Sequence, residues 1–179
     1  APTNSPAHRL PRAVTWGAHI LPVDRPVDGL DAPVVLSGIR QGAREGVEHL
    51  IAHGHRRIGY IGRDPSIYTS RGRYAGYVEA LEQAGIAVDP ALVRREGATR
   101  TSAQAQIEDL LDLDDPPTAL FTAQDIITMT AVSVMQSRGL SDRVALVGFD
   151  DFELADLLRP GVTVVAQDPR RIGALAAEL

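Results

Sequence analysis

At 179 residues, with 44% hydrophobic and 23% charged side chains, the chain can bury a core of its own and has the make-up of a globular protein. A formal net charge of -5 argues against gripping a nucleic-acid backbone unaided, and zero cysteines remove disulfides, thiolate catalysis and cysteine–zinc sites. No apolar stretch approaches the ~20 residues of a membrane span, and the start has no apolar secretory core, so a cytoplasmic protein is expected.

Residues 1–19, rich in Pro and Ala, read as a flexible tail. "ILPV" at 20–23 reads as a short strand and "PVVLS" at 33–37 as a second apolar run. "RQGAREGVEHLIAHGH" then places Ala43, Val47, Leu50 and Ile51 on one helical stripe, with Gly54 as a left-handed stop. "RRIGYIG" at 56–62 is a strand that runs into the loop "RDPSIYTS". A second helix follows, with Thr69 or Ser70 as N-cap, Tyr74, Val78 and Leu81 as its stripe and Gly85 as stop. "ALVRRE" at 91–96 is a weaker strand. Thr101 or Ser102 opens a helix through Ile107, Leu110 and Leu111. A buried strand at 118–122 leads to Asp125, the expected N-cap of a helix to about Arg138, and "VALVGFDD" is the next strand.

Strand and helix thus alternate four times between residues 57 and 158, which predicts an α/β fold with a mostly parallel sheet covered on both faces. In such sheets ligands bind beyond the carboxyl ends of the strands. The residues expected there are Asp64, Ser66, Tyr68, Thr69, Arg71 and Arg73 after the first strand, Thr122, Gln124 and Asp125 after the third, and Asp150 and Asp151 after the fourth. Hydroxyls, amides, carboxylates and guanidinium groups of this kind read a polyhydroxylated or heterocyclic small molecule. Each also has an ordinary structural reading: Asp125 caps a helix, Asp150 or Asp151 caps "FELADLL", and Arg73 sits on a solvated helical face.

Other chemistry finds little support. His49 and His53 in "HLIAH" stand one helical turn apart without a third ligand, so no metal is expected. "EDLLDLDD" at 108–115 lacks the glycine and terminal glutamate of a calcium loop. There is no Walker sequence, no G-x-G-x-x-G and no G-x-S-x-G, so neither a nucleotide cofactor nor a nucleophilic serine is expected. Adjacent carboxylates such as Asp150 and Asp151 usually diverge, which suits a ligand contact beside a turn better than an acid–base pair.

Taken in order, "GAREGVEHLIAHGHRRIGYIG", "SRGRYAGYVEALEQAGIAVDPALV", "PPTALFTAQD", "VALVGFDD" and "LLRPGVTVVAQDPRRIGALAAEL" resemble the effector-binding region of the LacI/GalR family of bacterial transcriptional regulators, over roughly residues 20–179. The resemblance implies the type-1 periplasmic-binding-protein-like fold, built of three-layer parallel-sheet lobes. It assigns residues 57–161 to the C-terminal lobe and residues 20–56 and 162–179 to a partial N-terminal lobe. It implies that Thr69, Arg73, Gln124, Asp125, Asp150 and Gln167 bind the effector, with Asp150 as acceptor. Gly38-Ile39 stands where the family usually has Asp-Asn, Gln124 is longer than the usual Asn, and "TMTAVSV" replaces a small-residue run.

The expected function is therefore a ligand-sensing domain of a repressor, not an enzyme, with no cofactor. Its expected partners are a sugar, polyol or purine effector and a second copy in a homodimer. DNA would be bound only through a helix-turn-helix domain not visible in this sequence. The rivals are a sugar solute-binding protein of a transporter, a small α/β enzyme using the Asp150 edge, and a truncated remnant without function.

Overall fold

The computed structural model describes residues 20–179 apart from Ala98 and Leu154, so the expected tail at 1–19 lies outside the described residues. The described residues divide into two compact units, residues 39–166 and residues 20–38 with 167–179.

The larger unit carries helices α1 (Ile39–Ala52), α2 (Tyr68–Gln83), α3 (Arg100–Leu111) and α4 (Asp125–Ser137). Its strands are β1 (Ile58–Ile61), β2 (Val93–Arg94), β3 (Ala119–Thr122), β4 (Ala145–Phe149) and β5 (Thr163–Val165). They form one sheet in the order β2-β1-β3-β4-β5, parallel throughout. The short apolar runs lack polar alternation because both faces of the sheet are covered. Ile58, Tyr60, Phe121, Val147 and Phe149 point into one core with α1 and α2, whereas Ile61 and Leu120 point into the other with α3 and α4. The register sets Tyr60, Phe121 and Val147 side by side across β1, β3 and β4. The result is three layers with two cores.

Helix α1, which the resemblance places with residues 20–56 in the partial lobe, lies in the larger compact unit, residues 39–166. Its buried Ile39, Ala43, Val47 and Leu50 pack with the α2 and sheet side chains of the first core. The contact with α2 is close. A Cβ on Gly76 would lie 2.3 Å from Arg40 O and 2.8 Å from Ala43 Cβ, so only glycine lets the two backbones meet there. An Arg40–Glu79 ion pair bridges the same helices at the surface.

The expected helix stops hold: Gly54, Gly85 and Gly139 all have positive φ, at 91°, 65° and 64°. The expected starts do not. Helix α2 begins at Tyr68 with Ile67 at the N-cap and no side-chain cap, instead of at Thr69 or Ser70. Helix α3 is capped by Thr99, not Thr101 or Ser102, because Ser102 forms the other half of a capping box: its backbone N–H donates to Thr99 Oγ1 and its Oγ accepts from Thr99 N–H. Asp125 is the first helical residue of α4 rather than its cap, and its carboxylate accepts from Ile126 N–H at 2.7 Å. Among the described residues of "FELADLL", Ala155–Leu157 form a 3-10 turn in place of the expected short helix. The acidic run at 108–115 forms surface ion pairs, Asp109 with Arg94, Asp112 with Arg138 and Asp115 with Arg57.

In the smaller unit, the two expected strand segments meet only as a parallel bridge between Val23 and Val35. Pro22, Pro26 and Pro33 lack the N–H groups that a longer ladder would need. Ser37 Oγ donates to Asp24 Oδ1 at 2.8 Å. Helix α5 (Pro169–Glu178) starts from Asp168, whose carboxylate accepts from Arg171 N–H at 3.0 Å.

Two outcomes follow for stability. Gly76→Ala gains up to ~1 kcal/mol of helix propensity but drives a methyl into backbone atoms, so a net loss of about 2 kcal/mol is expected in urea unfolding. Burial pushes the phenol groups of Tyr60 and Tyr77 far above their ordinary range. The unfolded chain therefore loses those protons first, above pH ~10, and stability should fall as pH rises past that point. Urea midpoints at pH 8 and 10.5, read with tyrosinate absorbance, check this: the phenolate signal of these two residues should appear only with unfolding.

Candidate functional site

The parallel strands of the larger unit all deliver their carboxyl ends to one edge, and the residues just after them converge there. Arg73, on the second turn of α2, is the centre. It is only 8% exposed, so its charge needs partners within the protein. One terminal nitrogen donates to Ala123 O at 2.7 Å and the other to Asp150 Oδ2 at 2.8 Å. Its guanidinium carbon stands 4.3 Å from the centroid of the Phe149 ring, a cation–π contact shielded from water.

Asp150 follows β4 directly and adopts φ 72°, in the left-handed region where Asp and Asn are the tolerated non-glycine residues. Its backbone N–H donates to Val165 O at 3.0 Å, which fixes the turn against β5 while the side chain meets Arg73. Asp151 is exposed and accepts from Phe152 N–H at 2.8 Å, so it shapes the turn. Gln124 is the extended N-cap of α4 and makes no side-chain cap bond; its Oε1 is buried without a hydrogen-bond partner.

Of the expected site residues, Arg73, Gln124, Asp125 and Asp150 sit on this edge, with Thr69 half-buried in the first turn of α2. Asp125 is engaged by Ile126 N–H. Gln167 belongs to the smaller unit, where it is half-buried. Ser66 N–H donates to Asp64 Oδ1 at 2.7 Å, which holds the Asp64 carboxyl below its ordinary range. Arg71 braces the preceding loop through Ser66 O at 2.9 Å. Thr122 is buried and bonded to Thr128 Oγ1 at 2.8 Å, so both hydroxyls belong to the core.

The sequence reading missed Tyr60, Arg63 and Arg95. Tyr60 Oη is buried without a partner, as are Nε of Arg63, Arg73 and Arg95. Arg95 lies over the Tyr74 ring at 4.2 Å, and that ring is 5.2 Å from Tyr60. A Cβ on Gly62 would fall 2.5 Å from Tyr60 Oη, so glycine is required where β1 ends above the phenol. The available signal was position: Arg63 and Arg95 stand just beyond β1 and β2, but both read as ordinary surface arginines beside a turn.

At the opposite edge, a depression of 270 Å³ lies beneath the amino end of β4, lined among others by His49, His53, Val144 and Arg159. His53 Nδ1 is 2.8 Å from His49 O. Among the described residues, no group of three or more His, Cys, Asp or Glu side chains is placed to hold a metal ion. No described helix is long and apolar enough to cross a membrane.

A parallel sheet covered by helices on both faces, with an arginine–aspartate pair at its carboxyl edge, defines a three-layer α/β module. Comparison with known proteins gives the family. Residues 47–179 match the periplasmic binding protein-like domain family, and the chain belongs to it, in the form carried by LacI/GalR regulators. The HTH-type transcriptional repressor CytR of Escherichia coli (strain K12) is 34% identical over 146 residues, which cover 80% of this chain and 43% of that protein. The HTH-type transcriptional repressor PurR of Aliivibrio salmonicida (strain LFI1238) is 30% identical over 156 residues, covering 84% and 47%. A regulatory protein of the LacI family from Chloroflexus aggregans superposes with a TM-score of 0.86 at 28% identity, covering 96% of this chain and 62% of that one. The chain thus spans about half the length of the curated relatives it matches.

Removing Asp150 should leave a buried guanidinium without its counter-charge and strain the left-handed turn. Asp150→Ala is expected to lower unfolding free energy by about 3 kcal/mol, and Asp150→Asn, which tolerates that backbone and keeps one acceptor, by roughly half as much. Urea unfolding of the two variants checks the order and the size.

Proposed function

We propose that this chain is the ligand-sensing part of a LacI-type transcriptional repressor, and that its effector binds at the carboxyl edge built around Arg73 and Asp150. The observation that carries this reading is a buried arginine, held by Asp150 and Ala123 O, beside polar atoms at Arg73 Nε and Gln124 Oε1 that have no protein partner. Buried polar groups are normally satisfied, and orphans gathered at a strand-end crevice suit a ligand's hydroxyls and carbonyls. Thr69 and Asp125 complete the proposed contacts on the larger unit. The unit at residues 39–166 would serve as one lobe of the two-lobed family fold, and residues 20–38 and 167–179 as parts of the other.

The mechanism is a population shift. An effector that binds one lobe arrangement better than another biases the equilibrium by its differential affinity, and the bias reaches a DNA-binding helix-turn-helix domain in the whole regulator. The transcriptional-repressor relatives support a regulator and not an enzyme, and the whole protein would act on DNA as a homodimer. A sugar, polyol or purine fits the mixed donors and acceptors.

Thermal unfolding against a panel of sugars, polyols and purines tests the reading. A ligand at a hundred times its dissociation constant should add about 2.7 kcal/mol, roughly 5–10 °C for a chain of this size. Arg73→Lys and Asp150→Asn should abolish the shift while leaving a cooperative melt. A shift that survives both substitutions would place the ligand elsewhere and overturn the assignment.

A further inference from the structure

We infer that the effector bears an oxyanion, a phosphate or carboxylate group, read by Arg63 and Arg95 beside Tyr60, while Arg73, Asp150 and Gln124 read its hydroxyls. The inference rests on the effector site proposed above and names the chemistry of one part of it.

Arg73 already has a carboxylate in Asp150. Arg63 and Arg95 make no such pair: among the described residues no carboxylate lies within ion-pair distance of either, Nε of each is buried without an acceptor, and the carboxylate that acts on both, the exposed Asp64, stands further off. Arg57, by contrast, reaches Asp89 at 3.0 Å. The carboxylates along this edge point their oxygens at local backbone groups instead of at these two arginines. Asp64 accepts from Ser66 N–H, Asp125 from Ile126 N–H and Asp151 from Phe152 N–H. Glu96 is exposed.

Three further features favour an anion at the same place. Tyr60 Oη, fully buried beneath Gly62, is a hydroxyl donor with no acceptor. Helix α2 starts just after this loop without a side-chain cap and with no acidic residue in its first turn, so its first N–H groups add positive potential. Arg95 is held in place over Tyr74, which fixes its fork before a ligand arrives. Guanidinium forks and helix N–H groups match the planar or tetrahedral oxygens of a carboxylate or phosphate. The orphaned acceptors, Gln124 Oε1 and Gln106 Oε1, suit hydroxyl donors, so the whole set describes a polyhydroxylated anion better than a neutral sugar.

Calorimetric titration with matched compounds tests this: hexoses and pentoses, each beside its phosphate ester and its aldonic acid, with inorganic phosphate alone as a further probe. The expected result is that one anionic member binds about tenfold or more tightly than its neutral parent, with an advantage that shrinks as salt is raised. Arg63→Gln and Arg95→Gln should remove that advantage while any weaker binding of the neutral parent persists. Arg63→Lys and Arg95→Lys should retain most of it, which separates lost charge from lost folding. Urea midpoints of all four variants confirm that the sheet is intact. Preference for phosphate esters over aldonic acids, or the reverse, identifies the group. Neutral sugars binding as tightly as their anions would sink the inference and leave the Arg73–Asp150 site standing. Inorganic phosphate shifting the protein as much as any ester would reduce the cluster to an unspecific anion contact. Silence from every compound would overturn both readings.

Discussion

The ion pair between Arg73 and Asp150 is the contact on which the carboxyl edge depends. A guanidinium that is 8% exposed is tolerable only when its donors are matched, and the matching groups come from separate parts of the sheet. Ala123 O lies at the end of β3, Asp150 at the end of β4, and the Phe149 ring shields the charge from water. Asp150 is in turn tied to β5 through its backbone N–H and Val165 O. One arginine on α2 thereby fixes the relative placement of three strand ends. Such a centre is costly to build and sensitive to small displacements, which is what a ligand-responsive edge needs.

That centre is possible because the helices approach the sheet and each other closely. Gly76 lets α2 meet the α1 backbone, and without that approach Arg73, one turn earlier on the same helix, would stand off from Asp150. Gly62 plays the matching role at β1. Its N–H donates to Arg94 O at 2.8 Å and its carbonyl accepts from Gly97 N–H at 2.9 Å, so β1 and the segment after β2 stay joined past the last strand pair. The lack of a side chain at Gly62 leaves room for Tyr60 Oη below. The packing of the two cores and the polar edge are one construction.

The architecture was legible from periodicity. Apolar runs of four or five residues, separated by helical stripes and ended by Gly54, Gly85 and Gly139, could only be assembled as a doubly covered parallel sheet. The caps were not legible, since Thr99, Thr101 and Ser102 are all competent hydroxyls and only the three-dimensional turn chooses Thr99. Arg73 and Asp150 stood out because a family pattern marked them. Tyr60 did not, because a tyrosine inside a strand reads as core, and its ring does lie in the core while its hydroxyl does not find a partner there. Arg63 and Arg95 were invisible for a related reason. An arginine after a strand carries no sequence mark that tells a neutralised charge from an uncompensated one; that distinction appears only when every nearby carboxylate is placed.

The same accounting explains why the edge divides into two halves of different character. Around Arg73 the protein supplies its own anion, so the local charge is balanced and what remains for a ligand is directional hydrogen bonding. Around Arg63 and Arg95 it supplies two cations, a phenol and helix N–H groups against one exposed carboxylate, Asp64, that forms no ion pair with either arginine. A neutral ligand would satisfy the first half and leave the second as it is. A ligand with hydroxyls at one end and an oxyanion at the other would satisfy both, and the second interaction would act across a partly buried edge where it is screened less than at an open surface. Paired and unpaired arginines on one edge thus give the site an orientation, with a charge-balanced end toward β4 and a cationic end toward β1 and β2.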